Sequence, residues 1–113
     1  MAKASKETRI KREADRLGEI FSGLDENKLQ TVDALIKRAA FITVSLEDLE
    51  AELLVNGWTE GYQNGENQHG LKKSAAADVH ISLTKNLNAI IKQLLEIVPA
   101  AERKSKLMEM MGR

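Results

Sequence analysis

Between Gly23 and Gly57 the chain carries neither glycine nor proline. Within that interval Leu29, Val32, Ile36, Ala39, Thr43, Leu46 and Leu53 follow a three-four alternation broken only by Glu50, and Leu35, Ile42 and Leu49 form a second stripe at intervals of seven. That is the period of a helix, and it predicts one over residues 25–56, with Asp25 as N-cap, Glu26 favouring the N-terminus and Gly57 as the stop. At 1.5 Å per residue such a helix is about 45 Å long, and its apolar face is wider than a two-stranded seam requires. It must therefore touch at least two neighbours.

A second pattern fits beside it. Ala76, His80, Leu83, Leu87, Ile90, Leu94 and Ile97 repeat the alternation, flanked by Val79, Ile91 and Val98. Ser74 is the N-cap of the helix this predicts, Asp78 lies near its first turn, and Pro99, the only proline, closes it. Upstream, Ile10, Ala14, Leu17 and Phe21 give a narrow stripe over residues 5–22, with Ser5 or Thr8 as cap, Gly18 as a weak point and Gly23 as a left-handed terminator. The tail after Pro99 is helix-competent but short of anchors, and we expect it to be partly ordered at best.

The expected fold is all-α: a long antiparallel helical hairpin preceded by an N-terminal helix, with a short β-hairpin or irregular connection between the long helices. The chain divides into a basic N-terminal segment (1–23), the helical hairpin (24–99) and a tail (100–113). Each long helix buries one stripe against the other and leaves a second free, which predicts self-association. Leu35, Ile42 and Leu49 on the first helix and Leu83, Leu87, Ile90 and Leu94 on the second are the candidate oligomerisation residues.

The connection, "GWTEGYQNGENQHGLKKS", holds four of the seven glycines and the only Trp and Tyr. Asn64-Gly65 reads as a type I′ turn, in which both central residues take positive φ. Trp58, Thr59 and Tyr62 suit a strand before it, Gln68 and His69 the return, and Gly61 and Gly70 the sharp exits to the helices. So small a ribbon is marginal alone, so Trp58 and Tyr62 should pack on the helix ends.

Chemistry finds little purchase here. His69 and His80 have no third histidine and no cysteine beside them, which is not a zinc pattern. No carboxylate spacing repeats an acid-base pair, "GENQHG" is neither a dinucleotide nor a phosphate-loop motif, and Asp78 and His80 fall on different sides of a helix. His80 lies in the helix seam, where a core or interface role is expected. The chain reads as a non-enzyme with no catalytic residues, no metal and no cofactor.

Seventeen basic and seventeen acidic residues give zero net charge, but the signs separate along the chain. Residues 1–16 hold six basic side chains against three acids, residues 17–98 seven against twelve, and residues 99–113 four against two. An acidic body with basic ends fits polyanion contact, and equally fits solvated termini. There is no cysteine, no apolar run long enough to span a bilayer and no signal-peptide pattern, so we expect a cytosolic, non-secreted protein without membrane contact.

The order of features resembles the small subunit of tailed-phage terminases. A charged N-terminal segment precedes a long helix ending "LEAELLVNGW"; the glycine-rich "EGYQNGENQHGLKKSAAADVHISLTKNL" follows, then a second helix ending before "VPAAERKSKL". Asn64, Gly65, Gln68, Gly70, Lys72 and Ala75 match the family's pattern, and Ser74 stands where proline is common. Serine is itself a good N-cap, so the helix start survives. The resemblance covers roughly residues 24–106 and rests on the order of features rather than on one motif. It implies a homo-oligomeric ring that binds double-stranded viral DNA in the host cytoplasm and recruits the large terminase subunit, which holds the ATPase and nuclease. The DNA-binding candidates are then Lys3, Lys6, Arg9, Lys11, Arg12 and Arg16, followed by Lys37 and Arg38 in mid-helix. No helix-turn-helix is evident. The competing reading is a helical structural or scaffolding oligomer, or an adaptor for other proteins, with no nucleic-acid role.

Overall fold

Three side-chain caps fix where the helices begin. In the computed structural model, which describes residues 4–63, 65 and 69–112, Ser5 Oγ accepts the Thr8 N–H at 3.1 Å, Asp25 Oδ1 that of Lys28 at 3.0 Å and Ser74 Oγ that of Ala77 at 3.1 Å. Each satisfies an amide that the first turn leaves without a partner. They open α1 (Lys6–Ile20), α2 (Glu26–Asn56) and α3 (Ala75–Ile97). Between α2 and α3 an antiparallel ribbon pairs β1 (Thr59–Gln63) with β2 (His69–Lys73). After Pro99 a single 3₁₀ turn (Ala100–Glu102) leads into α4 (Arg103–Met111).

The helix α2 is the spine, and α1 and α3 pack along it. Gly18 lies beside Glu26 and Leu29 while Arg9 reaches Asp48, so α1 runs antiparallel to α2. His80 meets Glu50 while Gln93 lies across from Arg38, so α3 does the same. The core gathers at one end: Leu17 and Phe21 from α1 and its exit, Val32, Ile36 and Ala39 from α2, Leu94 and Val98 from α3 and its exit, and Met110 from α4. Burying each of the large members contributes about 1.5–3 kcal/mol. The expected segments 1–23, 24–99 and 100–113 thus share one core. Beyond it the second half of α2, the ribbon and the start of α3 continue as an arm, giving extents of 63 × 37 × 21 Å.

Several expectations are corrected. The second stripe of α2 is used in part inside the chain: Ile42 lies where α2 meets α3, and Leu35 packs on the common core. Ile42 is buried, Leu35 is packed against the core, and Leu94 is 0% exposed, so these candidate oligomerisation residues are used inside the monomer. Leu87 and Ile90 also pack on the core, and Leu49 and Leu83 are half-buried.

The tail is docked rather than loose. None of the four helices has a basic residue in its own last turn, and three receive one from elsewhere. Lys106 Nζ donates to the Ile20 carbonyl at the end of α1 (2.8 Å). Arg103 Nε donates to the Leu95 and Val98 carbonyls at the end of α3 (2.9 and 3.3 Å), and Arg16 donates to the Glu109 and Met110 carbonyls at the end of α4 (3.1 and 2.9 Å). A cation there satisfies open carbonyls and the negative end of the helix dipole.

The glycines also sort differently. The end of α1 at Phe21 has φ −99°, and Gly23 is not left-handed; among the described residues only Gly57 (φ 77°) and Gly65 (φ 83°) have positive φ. Gly61 and Gly70 lie within the strands, and the turn out of α2 belongs to Gly57 alone. Gln63 pairs with His69, so residues 64–68 form the connection. A two-residue turn at Asn64-Gly65 would instead have paired Gln63 with Glu66; Asn64 and Gln68 lie outside the described residues. The return strand covers 69–73 and takes in the Leu71-Lys72-Lys73 run. Trp58 does pack on a helix end, edge-on to His80 at 5.3 Å. Tyr62 does not: it is Gly70's cross-strand partner, and a side chain at Gly70 would meet its ring at 2.7–2.8 Å.

Candidate functional site

Cations on one face of a helix mark a surface for anions only if they are not already used. Arg9 Nη1 donates to Asp48 Oδ1 at 2.6 Å, tying the start of α1 to the middle of α2. Lys6 Nζ stands 5.3 Å from the centre of the Phe41 ring. Arg16 grips Glu13 with Nε and Nη2 (2.8 and 3.1 Å), besides capping α4. Glu13 is only 5% exposed, and its hydrogen bond to Arg16 raises the guanidinium's pKa above its ordinary value, against the opposing effect of burial. Arg9 and Arg16 are thus engaged in contacts between helices, while Lys6 is exposed beside an aromatic ring. Lys11 and Arg12 are exposed on α1 with no ion pair among the described residues. Lys3 lies outside the described residues.

Lys37 and Arg38 meet in a groove of about 590 Å³ between α2 and α3. Its apolar floor is formed by Phe41, Ile42, Ala89 and Ile90, and Asn86 and Gln93 supply amides at its wall. Lys37 is held by Asp33 at 3.0 Å. Arg38 is exposed and has no ion-pair partner among the described residues. The groove combines an apolar base, neutral hydrogen-bonding groups and a free guanidinium, a set that accepts an apolar group next to an anion.

No family model, curated protein or solved structure matches this chain.

The arm presents the opposite chemistry. Leu54 and Val55, on the last turn of α2, are 88% and 83% exposed, and Trp58, Leu71 and Val79 are also largely exposed near the ribbon. Glu52, one turn earlier, is exposed without an ion-pair partner among the described residues. His80 Nε2 lies 3.1 Å from Glu50 Oε2 and carries the Trp58 ring on its edge, which joins α2, α3 and the ribbon. That is the positioning role its place in the seam implies. Among the described residues no group of three His, Asp or Glu side chains is arranged to hold a metal ion, and no helix is long and apolar enough to cross a membrane. The arm tip escaped the sequence reading, although one signal was available: Leu54 and Val55 fall outside the alternation that ends at Leu53.

Proposed function

We propose that the chain is a DNA-binding, multi-copy adaptor of the terminase small-subunit type, recruiting a separate catalytic subunit rather than acting on DNA itself. The observation that carries the DNA-binding part is the lengthwise segregation of charge. Residues 47–84, the sequence interval to which the arm belongs, hold seven acidic and two basic side chains, and the rest of the sequence holds an excess of five cations. A field of one sign repeated over several copies attracts a polyanion far more strongly than one copy does. Lys11 and Arg12, exposed and unpaired among the described residues, are the groups best placed to meet phosphates. The resemblance of the glycine-rich segment supports the terminase assignment and the ring.

Fluorescence anisotropy with duplex DNA over a salt series tests this. The double variant Lys11→Glu/Arg12→Glu should bind more weakly, and the log-log salt slope should fall by roughly 0.9 for each phosphate that is no longer neutralised. An unchanged slope would place the DNA surface elsewhere. A second reading, a protein adaptor that does not touch nucleic acid, is favoured by the use of Arg9 and Arg16 inside the fold. Wild-type protein showing no salt-dependent DNA binding would select it.

A further inference from the structure

The acidic, apolar arm tip and the basic, apolar-floored groove are complementary, yet both are built on one rigid helix. From Arg38 to Val55 along α2 is about 26 Å at the helical rise, so the tip cannot fold back into its own groove. We propose that the arm tip of one copy docks in the Lys37–Arg38 groove of a second copy. Val55 covers Phe41 and the apolar floor, and Glu52, three residues before it on the same face of α2, reaches Arg38. Charge argues for this occupant in three ways. Arg38 and Glu52 are each without an ion-pair partner in their own chain among the described residues. Residues 47–84 carry seven acidic side chains against two basic, and the rest of the sequence the reverse excess. Complementary ends also steer copies into a head-to-tail approach and disfavour tip against tip.

The interface is heterologous, since the two patches differ. A pair of copies leaves one tip and one groove unused, so assembly continues until it closes on itself or grows as a filament. This deepens the multi-copy part of the function proposed above and rests on it; it does not depend on DNA.

Native mass spectrometry with light scattering, over a protein dilution series and at low and high salt, reads the assembly. The wild type should exceed a dimer and dissociate as salt rises. Val55→Asp and Arg38→Glu, both at exposed positions, should each weaken assembly about tenfold or more while the helical circular dichroism is kept. Arg38→Glu and Glu52→Arg proteins should each assemble poorly alone, but mixed one to one they should assemble again, because every junction then pairs either the original charges or the exchanged ones. A wild type that assembles and whose assembly is unchanged by both Val55→Asp and Arg38→Glu overturns the docking and leaves self-assembly standing on another surface, such as the open edge of β1. A species that stops at a dimer overturns the head-to-tail arrangement. A wild type that stays monomeric at micromolar concentration overturns the docking and the multi-copy reading together, and duplex binding can then still be judged from the Lys11 and Arg12 variant.

Discussion

Arg16 has its fork of N–H groups turned inward. Two face the Glu13 carboxylate and the others the last carbonyls of α4, so one side chain neutralises a buried charge and caps a helix more than ninety residues away. Removing it takes a bidentate guanidinium away from the buried Glu13 carboxylate, and breaking a buried pair from one side is far more damaging than removing both partners. Arg16→Met should cost about 2–4 kcal/mol in urea unfolding, and Arg16→Lys should recover only part of that, since an ammonium cannot reproduce the fork. The double variant Glu13→Leu/Arg16→Met should be more stable than Arg16→Met alone. Equal stability of Arg16→Met and wild type would show that the network contributes nothing.

At the scale of elements, the boundaries that were legible in the sequence are those set by local chemistry. Ser5, Asp25 and Ser74 cap amides three residues on, Gly57 ends α2 and Pro99 follows α3, so the cause of each sits within one turn of its effect. Gly57 has φ 77° and ψ 174°, a region open essentially to glycine only, and nothing lies within 4 Å of where its Cβ would be. Gly57→Ala should therefore cost about 1–3 kcal/mol from the backbone alone, while Gly61→Ala, in a strand with open space, should be close to neutral; thermal unfolding of the two variants checks the contrast. What the sequence concealed depends on distant partners. The register between β1 and β2, in which the Tyr62 ring lies against Gly70, joins residues eight apart in the chain. The docking of α4 was hidden because its anchors, Arg16 and Lys106, act across 86 to 94 residues. Met110→Ala, which empties a side chain only 5% exposed, should cost about 2–4 kcal/mol in the same thermal unfolding, whereas a frayed tail would lose nothing. The candidate site divides the same way: the adjacent cations Lys37 and Arg38 stand out in mid-helix, but the groove beside them exists only once α3 is laid along α2.

For the molecule as a whole, the uneven placement of the core predicts an uneven resistance to opening. Phe21, Val32, Leu94 and Val98, all fully buried, cluster at the compact end, where α4 also closes the core. The arm is held by fewer buried side chains, chiefly Leu53 and Ala77, and by the Glu50–His80–Trp58 cluster, while β1 is exposed along its whole length. Local opening free energy follows buried apolar packing, so amides of residues 32–40 and 90–96 should exchange with solvent only through global unfolding, and those of residues 52–63 through smaller openings. If copies dock tip into groove, raising the protein concentration should slow exchange in residues 52–56 and in 37–42 together, because each tip covers another copy's groove. Salt should reverse both changes. Hydrogen exchange followed by mass spectrometry at two concentrations separates the possibilities: slowing confined to β1 would locate the interface on the ribbon edge, and a uniform profile along α2 would contradict the uneven stability that the position of the core requires.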